Sequence, residues 1–178
     1  MHSIFNDDAN KESLFLSCMK QVSLNDIKQE LQNLTAKEIT EVCVRLARYK
    51  KENKELVAYL LFDAHNIDGY VANIKQSMDE LFHDVNTSNV YFAKKTLRKI
   101  LRLANRHIKF TANKQAEAEI RIHFCKMIKA LNMSIHKNKT LFNMYMQQIK
   151  KIKAALTALH EDIQYDFAKQ VNVLQENL

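Results

Sequence analysis

A chain of 178 residues with one glycine and no proline has few ways to turn sharply. Average usage would supply roughly 12 glycines and 9 prolines. Glycine reaches positive φ without strain, so its scarcity disfavours type I′ and II′ hairpins, and with them an antiparallel sheet. The same scarcity removes a functional class. Phosphate loops of the G-x-x-x-x-G-K-[ST] and G-x-G-x-x-G kinds need several glycines to bring backbone N–H groups against a phosphate. The expected fold class is all-α, with turns made by polar caps.

Short polar breaks do separate the helical patterns. Residues 1–10 read as loosely ordered, and a short helix is expected over 11–21 with Leu14, Phe15, Cys18 and Val22 inward. Ser23 with Asp26 reads as one N-terminal cap, and Thr35-Ala36-Lys37-Glu38 as a capping box. The helix after it, to about Tyr49, carries Ile39, Val42, Cys43, Leu46 and Ala47 on one face. Asn53 is the expected cap of a helix bearing Leu56, Tyr59, Leu60 and Ala64. Asp68 is the expected cap of the next, from about Tyr70 to Val85, with Val71, Ile74, Met78, Leu81 and Phe82 inward. A long helix should follow the break at 86–89 and end near Phe110, and Asn113 should open another that ends at Leu131.

The last pattern reads as one long helix over 138–174; unbroken it would be about 55 Å long, so it should protrude, bend near His160–Asp162 or lie across the whole bundle. Phe142, Tyr145, Ile149, Ile152, Leu156, Leu159 and Ile163 alternate spacings of three and four, an a/d seam over three heptads. Packing within the fold is the favoured use of that seam. A homodimer through the C-terminal helix is the other partner it allows.

Connections of roughly two to five residues force neighbouring helices nearly antiparallel. The expectation is a single all-helical domain over residues 1–178, built of antiparallel αα-hairpins. A faint repeat, Val44-Arg45-Leu46-Ala47 against Leu101-Arg102-Leu103-Ala104, suggests a short superhelix of the HEAT or armadillo kind; an up-down helical bundle is the alternative. The start of the chain is acidic, without a basic region followed by an apolar run, and no apolar stretch approaches the ~18 residues of a membrane span. Cys18, Cys43 and Cys125 are odd in number and scattered, which argues against a disulfide framework and for the reducing cytoplasm.

Charge is segregated. Residues 94–153 carry 16 basic and 2 acidic side chains, although the net charge of the whole chain is only +7. Between Lys94 and Lys114 there are eight Lys or Arg and no acid. On a helix, Lys95, Arg98, Lys99, Arg102, Arg106 and Lys109 form a ridge about 21 Å long, opposite an apolar stripe of Ala93, Leu97, Ile100, Leu101, Ala104 and Ile108. His107 and Phe110 lie beside the ridge, and Lys137, Lys139, Lys150, Lys151 and Lys153 could extend it. Such a ridge suits an anionic macromolecule, either an acidic protein surface or a nucleic-acid backbone. The plain alternative is a solvated face that serves solubility.

Candidate chemistry is thin. Glu80 and His83 have the E-x-x-H spacing of one half of a carboxylate-bridged metal site, but no other Glu has a His three residues later. Glu119 and His123 are four apart, which suits a helix-surface pair; Cys43 on its apolar stripe suits a buried hydrophobe. No cofactor, metal or enzymatic activity is expected. The expected function is a helical scaffold presenting the Lys95–Lys109 ridge, with a bundle metalloprotein using Glu80 and His83 as the alternative.

Overall fold

The computed structural model describes residues 22–176, and the loosely ordered start and the helix expected over 11–21 lie outside them. Among the described residues the protein is all-α, with eight α-helices and no strand. No helix among them is long and apolar enough to cross a membrane. Contacts divide the chain into two compact units, one ending at Lys54 and the other beginning at Glu55.

The first unit holds α1 (Leu24–Gln32) and α2 (Ala36–Tyr49). Both begin with reciprocal capping boxes, Ser23 with Asp26 and Thr35 with Glu38. In each, the hydroxyl accepts an N–H of the first turn and the carboxylate accepts the cap's own N–H. The apolar face expected on α2 does not enter a core. Residues 22–54 include no buried residue, and Leu46 is 53% exposed. Cys43, expected inside, is exposed as well.

The break expected at residues 50–53 shrinks to one extended residue, Lys50. Asn53 does not cap the next helix; its amide donates to the Leu46 carbonyl at 2.9 Å, near the end of α2. Helix α3 (Lys51–Ala58) runs into a π-helical turn, Tyr59–Asp63, closed by the Ala64 N–H on the Tyr59 carbonyl at 2.9 Å. The extra residue of a π-turn shifts the helical phase. Tyr59 stays buried, but Leu60, expected inward, is exposed with Leu61 and Phe62.

In the second unit, α4 (Ile67–His83), α5 (Val90–Thr111), α6 (Lys114–Ala130), α7 (Lys139–Leu156) and α8 (Glu161–Gln175) follow, with a 3-10 turn at Ile135–Lys137. Helix α4 starts three residues before the expected position because Asn66, not Asp68, caps it by accepting the Gly69 N–H at 3.0 Å. Asn89, Asn113 and Asn138 cap α5, α6 and α7. The long C-terminal helix expected over 138–174 is two helices. The chain breaks over Thr157–His160, and the His160 ring takes the cap position of α8. This folds α8 back so that Val171 and Leu174 enter the core. The Tyr145 hydroxyl donates to the Leu174 carbonyl at 2.7 Å and holds it there.

Helix α6 is the centre of this unit and packs on α4, α5, α7 and α8. Its burial goes nearly all round: Ala116, Ala118, Ile120, Ile122, Phe124, Cys125 and Ile128 are all in the core. Helices α4 and α5 present the expected stripes, except that Leu81 and Leu101 are only partly buried. On α7, Tyr145, Ile149, Ile152 and Leu156 of the seam are buried within the unit, while Phe142 yields its place to Leu141.

Candidate functional site

Helices α5 and α7 both pack on α6, and a groove of about 960 Å³ opens between them. The α5 wall carries Tyr91, Lys94, Lys95, Arg98, Leu101, Arg102 and Asn105; the α7 wall carries Lys139, Thr140, Asn143, Met144, Gln147 and Gln148. Five of these side chains are cationic and none is a carboxylate. Four of the five cations stand on α5, so one wall is charged and the other is mainly amide, hydroxyl and thioether. Tyr91 at the mouth is 69% exposed and meets Phe92 edge-on, with ring centroids 5.5 Å apart.

The six residues of the expected ridge do not all line one groove. Lys95, Arg98 and Arg102 line the groove. Lys99 is exposed outside it. Lys109, with Lys114 and Lys151, lines a second cavity of about 490 Å³ that meets the first at Asn105. Arg106 turns the other way and binds Glu55 at 2.7 Å. His107 and Phe110 also face away, into an aromatic cluster. The Tyr70 hydroxyl lies 2.6 Å from His107 Nδ1, and the His107 and Phe110 rings meet edge-on at 5.4 Å. Burial, with the neighbouring Arg106 charge, holds the His107 imidazole below its ordinary range, and burial pushes the Tyr70 hydroxyl up to about 12. A neutral imidazole is thereby kept as the partner of that hydroxyl.

The residue that sequence reasoning missed lies behind the groove. Arg121 of α6 is buried. Its Nε and Nη2 both reach Glu117 Oε1 at 3.0 Å, and its Nη1 donates to Asn105 Oδ1 at 3.1 Å and to Gln148 Oε1 at 2.7 Å. A guanidinium only donates, so both amide oxygens must point at it. The amide nitrogens of Asn105 and Gln148 therefore point away from Arg121, and that of Gln148 donates to the Met144 carbonyl at 3.4 Å. One buried cation thus sets two amides of the groove, one on each wall. The available signals were the Glu117–Arg121 spacing of four and Gln148 beside Ile149 on the α7 seam.

Candidate catalytic groups are placed otherwise. Glu80 and His83 are both exposed on α4. Among the described residues no three His, Cys, Asp or Glu gather as a metal site would need. Glu119 and His123 are tied to α4, by Lys75 at 2.7 Å and by Asp79 at 2.6 Å. His65 and Asp68 are exposed at the start of α4. No protein-family model, curated protein or solved structure matches the chain.

Proposed function

We propose that this protein is a non-enzymatic helical scaffold that binds the phosphate backbone of a nucleic acid in the α5–α7 groove. The observation that carries the reading is the groove's lining, five cations with no carboxylate among them. Cations that serve only solubility are interspersed with acids, whereas these converge on one concave surface. Phosphate oxygens accept hydrogen bonds only, and the lysine and arginine side chains of the groove supply only donors. Helical repeats of the HEAT or armadillo kind suit such a scaffold. In support, adjacent helices pack in pairs, and residues 44–47 resemble 101–104 at three of four positions.

The test is fluorescence anisotropy with labelled oligonucleotides at rising salt. If all five cations neutralise phosphates, log K should fall with log salt at a slope of about −3.5 for a single strand or −4.5 for a duplex. That is a loss of about a hundredfold or more between about 50 and 200 mM salt. The double variant Arg98→Glu, Arg102→Glu should abolish binding. Absence of binding to either form at low salt overturns the proposal. So does binding of polyglutamate in preference to oligonucleotide, which would make the partner an acidic protein surface.

A further inference from the structure

We infer that the groove takes a single-stranded polynucleotide, its phosphates along α5 and its bases turned to the amide wall of α7; this rests on the groove being a nucleic-acid site. The two walls differ in kind. Lys94, Lys95, Arg98 and Arg102 form a cationic edge along α5, while Thr140, Asn143 and Gln147 of α7 offer neutral donors and acceptors. Lys94 to Arg102 spans about 12 Å of helix, so the charged edge follows a short run of consecutive phosphates.

A duplex presents a phosphate backbone on either side of each of its grooves, and bases reach a protein only through those grooves. Its natural counterpart is charge on both flanks. Here four of the five cations stand on α5 and one, Lys139, stands at the start of α7, an asymmetry that suits a chain with phosphate on one side and base edges on the other. Asn143 and Gln147 are exposed on α7 and can both donate and accept, as base edges require. Tyr91, 69% exposed at the mouth, supplies a ring face for stacking, a contact open to every base. Arg121 completes the arrangement by holding Asn105 and Gln148 with their oxygens inward, so neither carbonyl meets a phosphate.

The experiment compares one oligonucleotide of about 12 residues as DNA strand, RNA strand, duplex and abasic strand, against the full chain. The expected result is that a single strand, ribose or deoxyribose, binds at least about tenfold more tightly than the duplex or the abasic strand. Tyr91→Ala should lower single-strand affinity about tenfold. Asn143→Ala and Gln147→Ala should each lower it about twofold to tenfold, with the salt slope unchanged. These three side chains are exposed, so the variants keep the fold, checked by circular dichroism. Equal or tighter duplex binding, equal binding of the abasic strand, or unchanged single-strand affinity in all three variants overturns this inference. The proposed function then still stands if Arg98→Glu, Arg102→Glu abolishes binding. No binding of any form overturns both.

Discussion

Replacing Arg121 by methionine isolates the buried polar network behind the groove. Methionine keeps the unbranched stem and its packing, so the change removes mainly the charge and its hydrogen bonds. Only 7% of the Arg121 side chain and 16% of the Glu117 side chain are exposed. Removing one partner of a buried pair costs about 3–5 kcal/mol. Lys114 still reaches Glu117 at 3.0 Å, which favours the lower end, and the Gln148 carbonyl left facing no donor adds about 1 kcal/mol. The expected loss is about 3–4 kcal/mol, or roughly 10 °C in Tm for a chain of this size. Urea and thermal unfolding followed by circular dichroism measure it. Removing both charges together, Arg121→Met with Glu117→Gln, should restore about half, because no carboxylate is then left buried.

The loss should also depend on pH. Burial alone would raise the Glu117 carboxyl, but hydrogen bonds and charge from Lys114 and Arg121 outweigh it and hold the group below its ordinary 4.5. A carboxyl depressed in the folded state contributes stability that is present above its unfolded pKa and lost as pH falls through the folded value. Without Arg121 much of that contribution is already gone. The gap between wild type and Arg121→Met should therefore narrow as pH falls from about 5 to about 3. A loss below about 1 kcal/mol at neutral pH, or a gap that stays constant into acid, refutes the account of this network.

Ala112 stands at φ 47, the left-handed C-cap of α5, its N–H on the Ile108 carbonyl. Glycine adopts that conformation without the Cβ clash, so Ala112→Gly should raise stability by about 0.5–1 kcal/mol; a lower melting temperature would contradict the strain. Burial pushes the Cys125 thiol up to about 12, against a small opposing effect of Arg121, while Cys43 is exposed. Alkylation of the native protein at about pH 8, read by peptide mass spectrometry, should label Cys43 and spare Cys125, which holds roughly one thiolate in ten thousand there; equal labelling would show that α6 is not packed as described.

The apolar stripes of α4 and α5 were legible because each buries a single face, and 3.6-residue spacing reports a single face directly. Asn113 marked a helix start for the same local reason, a side-chain oxygen within reach of the first free N–H groups; Asn89 and Asn138, which cap α5 and α7, stood within polar stretches that did not single them out. Three features were not legible in the spacing pattern. The π-turn moved Leu60 outward through one extra residue that no spacing rule anticipates. The a/d seam of 142–163 continues in sequence through the Thr157–His160 turn, since a periodic pattern does not record where the backbone changes direction; only the length of an unbroken helix pointed to a bend near His160. The ridge itself was read from one helix alone, so the turning of Arg106 toward Glu55 could not appear, whereas Lys139 stood among the lysines expected to extend it. Arg121 was hidden for a related reason. A buried arginine is recognised by its partners, and Asn105 and Gln148 come from two other helices.

Helices α5 and α7 each rest on α6 far more than on each other. The separation of the two walls is therefore governed by how each helix tilts on a common support, with the Arg121 side chain as the tie between them at one end. Such a groove should open and close like a pair of jaws, with the Asn105–Gln148 end held by Arg121 and the Tyr91–Lys139 end moving most. Any occupant that touches both jaws shortens their excursions, so its binding removes motion from the open end first. Slower amide exchange in the first turns of α5 and α7, with little change in the centre of α6, is the trace such an occupant leaves.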